Sequence, residues 1–302
     1  MYRSIITFVG NENNHNNLLA LNTPYRDISE LTLASLLEIS ADANRENIAL
    51  IFKNERITYR QLNTRVNKLA HYLIERGVKP ETLVPICLTS SVGQIVGIMA
   101  ILKAGGAYVP IDPDNPAERI SYILNDCRPD VMITTSSLGL NFEGLFAGEV
   151  IEIDKDVFSA YPEETPRVQL KPENLAYVLY TSETTGVPNG VMIEHRSLVN
   201  NLTWAADYFN ITAKDVILQK TAFSFDVSVW EIFWPLISGA KLVIIEKEDY
   251  KNLESLKAAI ISHKVTCVHF VPTMLEFFLL SLQDAECQTL RHVISSGEAL
   301  TT

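Results

Sequence analysis

The chain has 302 residues, 47% of them hydrophobic and 20% charged, with a formal net charge of -11. That length can bury a substantial core as one large domain or two ordinary ones. The acidic balance argues against nucleic acid or an anionic membrane surface as the main partner, and no apolar run reaches the roughly 18 residues that a spanning helix needs. The cysteines Cys87, Cys127, Cys267 and Cys287 stand singly, with no CxxC pair, so reduced thiols in a cytoplasmic protein are expected.

Residues 1–30, with their GNENNHNN and NTPYRDIS tracts, read as a polar linker, and order is expected from Leu31 onward. His15, among asparagines, reads as solvated. Asn47 to Phe52 then has the composition of a strand, and Arg56 to Tyr59 that of a short return strand. Thr58 with Gln61 forms a capping box for a helix carrying Leu62, Val66, Leu69 and Leu73 on one face and stopping at Gly77. Val84 to Leu88 is an apolar strand, and Val92, Ile95, Val96, Met99 and Leu102 form the next helical stripe. Lys103, near the end of that helix, is placed to meet the negative end of its dipole. Pro116 opens a further helix through Asp126, and Val131 to Thr135 is the following strand.

Phe142 to Gln169 is acidic and irregular, and reads as a connector. Leu175 to Tyr180 is a strand that empties into Thr181, Ser182, Thr184, Thr185, Gly186 and Gly190. Hydroxyls donate to phosphate oxygens and glycines allow close backbone approach, so this loop can cradle an anion; a polar surface turn has the same composition. Val191 to Ile193 is expected to return as a hairpin arm, and Ser197 to cap a helix carrying Leu198 and Leu202. His195 between them reads as structural or solvated. Val216 to Gln219 is a strand, and Asp226 marks a helix start, where an aspartate commonly serves as N-cap. Its aromatic and aliphatic neighbours suggest a buried carboxylate, which needs a cationic partner to stay charged. Leu253, Leu256 and Ile260 mark another helix. Val265 to Thr273 reads as a buried strand ending at Pro272, with His269 inside it, and His292 to Thr301 as a strand ending in Ser295, Ser296 and Gly297. The alternation of strands and helices indicates an α/β fold with largely parallel sheets.

Several passages together resemble one family. Y-T-S-x-T-T-G-x-P-x-G-V over residues 180–191 resembles the phosphate loop of the adenylate-forming superfamily, which includes acyl-CoA synthetases, luciferases and the adenylation domains of nonribosomal peptide synthetases. ITYRQL (57–62) and LKAGGAYVPIDPDNPAERISYILND (102–126) are similar to the first two blocks of the peptide-synthetase adenylation domains. F-D-x-S-x-W-E (225–231) resembles the block whose aspartate pairs with the substrate's α-ammonium. Two positions depart from the pattern: Glu183 stands where the family has glycine, and Asn189 where it has lysine.

The resemblance implies layered α/β sheets with helices between and outside them, residues 31–302 forming the N-terminal part of an AMP-binding adenylation domain without its small C-terminal domain. It implies ATP-dependent activation of an amino acid as aminoacyl-AMP, with Thr181, Ser182, Thr184, Thr185, Gly186 and Gly190 around the phosphates and Gly297 near the adenine. Asp226, Val227, Trp230, His269, Ile294 and Ser296 would line the substrate pocket, a set similar to that of serine-activating domains. The magnesium ligand would lie beyond residue 302, and the partners would be a peptidyl carrier domain and a condensation domain of a larger synthetase. The 302-residue chain alone is expected not to form aminoacyl-AMP. An acyl-CoA ligase is disfavoured by Asp226, a Walker-type NTPase by the missing G-x-x-x-x-G-K-[ST], and a non-catalytic fragment of an adenylation domain stays open.

Overall fold

The computed structural model describes residues 7–8, 28–139, 142, 144–155, 157–182, 188–283 and 286–299. Its strands fall into two sheets. The first holds β1 (Thr7–Phe8), β2 (Ile48–Phe52), β3 (Glu55–Thr58), β10 (Val216–Gln219), β11 (Lys241–Ile244), β12 (Cys267–Phe270) and β13 (His292–Ser295), in the order β1-β13-β12-β10-β11-β2-β3. The second holds β4 (Leu83–Ile86), β5 (Ala107–Pro110), β6 (Val131–Thr134), β7 (Glu149–Glu152), β8 (Leu175–Ser182) and β9 (Pro188–Glu194), in the order β7-β6-β4-β5-β8-β9. Pairing is parallel except at β1, β3 and β9, which sit antiparallel on edges.

Helices separate and flank these sheets. α1 (Leu33–Ala43), α2 (Tyr59–Glu75), α3 (Val92–Lys103), α6 (His195–Tyr208) and α7 (Val227–Ser238) share one core with the inner faces of both sheets. α4 (Ala117–Cys127) covers the outer face of the second sheet; α8 (Leu253–His263) and α9 (Pro272–Ser281) cover that of the first. A one-turn helix, α5 (Ser136–Gly139), precedes β7. This is the layered α/β arrangement expected from the sequence. The alternation of β-branched runs with amphipathic helices leaves parallel strands covered on both faces.

Local chemistry accounts for most boundaries. The Thr58–Gln61 capping box forms, with both reciprocal bonds, and α2 gives way to Gly77 at φ 88°. The four cysteines are free. Some boundaries differ from the sequence reading. Ser197 does not cap α6, which begins two residues earlier at His195. Pro272 opens α9 at its first position, where a missing N–H costs nothing, instead of ending a strand. The acidic connector contains β7, whose four residues pair with β6. Thr7–Phe8, inside the stretch read as linker, pairs with Ile294 and Ser295.

Lys103 has a different role from dipole complement. It is 4% exposed, ion-paired to Glu38, and donates to Asn63 Oδ1 at 2.5 Å and Asn67 Oδ1 at 2.8 Å. A desolvated ammonium needs such partners, and these tie α3 to α1 and α2.

Candidate functional site

Parallel strands send their carboxyl ends to one edge of a sheet, and ligands of α/β folds bind outside those ends. Here the edges of both sheets meet. A narrow cleft is lined by Thr89 and Ser90 after β4, Asp112 after β5, Phe223 after β10, and Lys247 and Tyr250 after β11. Lys247 crosses from one sheet to the other, 2.6 Å from Asp112 and 2.5 Å from Asp114. The Ser90 and Tyr250 hydroxyls are 2.5 Å apart across the same gap.

The hydroxyl-rich loop leaves the second sheet at this edge. β8 and β9 form the expected hairpin, with Thr181 opposite Asn189 and Tyr180 opposite Gly190. Thr181 is exposed, and Arg119 donates to the Tyr180 carbonyl at 3.2 Å. A Cβ at Gly190 would lie 3.0 Å from Val178 Cγ1 and 3.2 Å from the Tyr180 ring, so hairpin packing alone calls for glycine there. Ser182 ends β8. Glu183, Thr184, Thr185 and Gly186 lie outside the described residues.

Asp226 immediately precedes α7. Its exposed carboxylate accepts from the Val227 N–H at 2.8 Å. A capping aspartate normally takes the amide two or three positions on; a bond to the next residue leaves most of the acceptor capacity unused. The burial expected from its apolar neighbours is therefore corrected: the carboxylate stands at the surface. Its charge still faces the protein: Tyr177 on β8 is pushed up to about 12, first by burial and then by Asp226.

Helical spacing places Val227 and Trp230 beside Asp226, on the first turn of α7. Trp230 packs at a tilt against Trp234 with centroids 4.4 Å apart, and meets the His269 ring edge-on at 6.0 Å. His269 sits on β12 in register with Ile294 on β13. Both are buried, and His269 Nε2 is 2.9 Å from the Ser296 Oγ. Burial, reinforced by the Lys220 charge, pushes His269 down to about 3, so the imidazole is neutral at physiological pH. Its Nδ1 has no partner among the described residues. Gly297 follows at φ 92°, a conformation that favours glycine. The structure thus joins Trp230, His269, Ile294 and Ser296 in one wall, with Asp226 and Val227 at its open end.

Tyr177, Lys220, Thr221 and Glu231, like Lys247 and Tyr250 in the cleft, were not assigned from sequence. Glu231 was visible as the last letter of F-D-x-S-x-W-E, but a charge in an apolar helix does not reveal its partners. His195 proves structural. It is fully buried, and its Nδ1 accepts the Leu33 N–H at 3.1 Å, joining the base of the β8–β9 hairpin to the start of α1. Among the described residues no group of three or more His, Cys, Asp or Glu could hold a metal ion.

Comparison with known proteins defines the class. Residues 37–302 match the family of AMP-binding enzymes, and the chain belongs to it. It is 37% identical over 286 residues to tyrocidine synthase 3 of Brevibacillus parabrevis, covering 94% of this chain and 4% of that protein. It is 38% identical over 280 residues to vanchrobactin synthetase VabF of Vibrio anguillarum, covering 90% of this chain and 10% of the relative. Zwittermicin A synthase ZmaJ of Bacillus cereus is 39% identical over 272 residues, 89% of this chain and 52% of ZmaJ. The chain therefore spans about half of ZmaJ and far less of the other two. Among solved structures, the nonribosomal peptide synthetase FmoA3 bound to alpha-methyl-L-serine-AMP superposes with a TM-score of 0.81 at 27% identity, over 88% of this chain and 30% of FmoA3. Its AMPPNP-bound form gives the same TM-score. No helix among the described residues is long and apolar enough to cross a membrane.

Proposed function

We propose that this chain takes part in ATP-dependent activation of an amino acid, L-serine, as its aminoacyl-AMP within a nonribosomal peptide synthetase. The observation that carries this reading is the His269–Ser296 polar pair walled by Trp230 and Ile294, beside the exposed Asp226 carboxylate. Asp226 would hold the substrate ammonium, leaving the substrate carboxylate to attack the α-phosphorus of ATP and release pyrophosphate. No side-chain nucleophile is needed, and rate comes from positioning and charge stabilisation. Thr181, Ser182, Thr184, Thr185, Gly186 and Gly190 would surround the phosphates, and Gly297 would pass the adenine. Magnesium, bound by residues outside this set, would help neutralise the phosphates. The product would pass to the thiol of a carrier domain.

Serine fits the chemistry of the wall. Trp230 fills volume that a large side chain would need. Neutral His269 and the Ser296 hydroxyl offer both donors and acceptors to a short hydroxyl. Alanine or valine would leave those groups unpaired, at about 1–3 kcal/mol. Threonine and cysteine are the close competitors, since one methyl or a thiol is a small difference. The test joins residues 31–302 to the remaining length of an intact adenylation domain and measures ATP–pyrophosphate exchange with serine, threonine, cysteine and alanine. Serine should give the highest kcat/KM, and a preference for any of the other three would overturn the assignment.

A second reading has its own observation. Asn189, opposite Thr181, puts a neutral side chain at the mouth of the loop, and Glu183 adds a negative charge to it. Both oppose a polyphosphate, and favour a folded interaction piece with weak nucleotide affinity. Titration with ATP separates the two.

A further inference from the structure

The segment 220–226 runs from the end of β10 to the start of α7 and delivers Asp226 to the site. Both of its ends are tied down by side chains of α7 itself. Near Asp226, the Ser228 hydroxyl donates to the Phe225 carbonyl at 2.6 Å and lies 3.2 Å from that of Phe223. At the other end, the Glu231 carboxylate accepts from the Lys220 N–H at 3.2 Å, the Thr221 N–H at 2.9 Å and the Thr221 hydroxyl at 2.8 Å. Gln219 adds a bond from its Nε2 to the Thr221 carbonyl at 2.6 Å.

Glu231 is 0% exposed, and a buried carboxylate costs free energy that an apolar side chain of like volume would not. Packing alone therefore does not explain it, whereas fixing the segment that carries the ligand-binding carboxylate does. We propose that Glu231 is a positioning residue for amino-acid recognition: by holding residues 220 and 221 it sets where the Asp226 carboxylate meets the substrate ammonium. The inference rests on the amino-acid reading above. Small displacements of a binding group are costly, because recognition depends on supporting bonds that hold it in place.

The surroundings make this device sensitive to pH. The Lys220 ammonium belongs to the same segment and lies 5.0 Å from the Phe270 ring centroid and 3.9 Å from Met274 Sδ. The Cys267 thiol on β12 and the Tyr250 phenol after β11 also sense the Glu231 charge. Burial pushes the Glu231 carboxyl up to about 7, against the pull of Lys220 and the Thr221 donors. Three donors suit the ionised form. Protonation would set an O–H against N–H groups and release the start of the segment.

The experiment is calorimetric titration of the 302-residue chain with L-serine and, separately, with ATP at pH 8 and pH 6. Glu231→Gln should weaken serine binding about tenfold at pH 8, and Thr221→Val, which deletes one of the three bonds, about threefold. ATP affinity should stay within about twofold in both, since a selective loss is what positioning predicts. Serine binding by the unaltered chain should weaken at pH 6, and that of Glu231→Gln should not. Unchanged serine affinity in Glu231→Gln would overturn the proposal. Should that variant lose both ligands, Thr221→Val decides: a selective serine loss supports positioning, and a joint loss or none overturns it. If the unaltered chain binds none of serine, threonine, cysteine and alanine, the amino-acid reading fails and the inference falls with it.

Discussion

Replacing His195 by glutamine should remove a specific part of the protein's acid sensitivity. Burial holds His195 down to about 4, from an ordinary value of 6.5. Its Nδ1 accepts the Leu33 N–H, so protonation would turn an acceptor toward a donor at the first residue of α1. Between pH 4 and 6.5 the unfolded imidazole binds a proton and the folded one does not, so stability rises with pH in that window. The contribution is complete above 6.5 and is lost as pH falls through about 4. At about 1.4 kcal/mol per pH unit, the difference is about 3 kcal/mol, a large share of a typical domain's 5–15 kcal/mol. Glutamine keeps a neutral acceptor without a titrating proton. Urea unfolding of both proteins at pH 7, 6, 5 and 4 is the assay, and His269 and His292 cancel in the comparison. The stability of the unaltered chain relative to His195→Gln should fall by about 3 kcal/mol from pH 7 to pH 4. Parallel pH curves for the two proteins would refute the reasoning.

Two further substitutions follow from other parts of the structure. Gly239 ends α7 at φ 73°, and a Cβ there would fall 2.5 Å from the Asn44 side chain; Gly239→Ala should cost about 2 kcal/mol in urea unfolding, from strain plus displacement. Asn189→Lys and Glu183→Gly should each tighten ATP binding. Opposite charges ~4 Å apart gain roughly 4 kcal/mol at an effective dielectric near 20, and a third of that is about tenfold in affinity; calorimetry showing no gain in either variant would place these side chains away from the phosphates.

The layered α/β fold was legible because its signals are local and repeated. The Thr58–Gln61 box, the strand Val216–Gln219 and the helix after Asp226 all form where composition and spacing put them. β7 was hidden because Glu149 and Glu152 mask a short edge strand whose burial falls mainly on Ile151. α9 was hidden because Pro272 stops a strand and starts a helix equally well, and its neighbours are apolar either way. For the site, the motifs named Asp226, Trp230, His269 and Ser296, but not their environment. Asp226 is exposed although its sequence neighbours are apolar, since segment 220–226 turns it outward at the strand edge. Glu231, Tyr177 and Lys103 acquire their meaning from residues distant in sequence or on other elements, and hydrophobic periodicity carries no record of those contacts.

The central claim is that Asp226 receives the ammonium of an amino acid. Its most direct test is Asp226→Ala in the protein that joins residues 31–302 to the remainder of an adenylation domain, assayed by serine-dependent ATP–pyrophosphate exchange alongside ATP binding. Losing a hydrogen bond to a charged group, worth about 1.5–3 kcal/mol, should lower kcat/KM for serine by about 10- to 150-fold while ATP affinity is unchanged. Exchange that proceeds as well without the carboxylate would contradict the account.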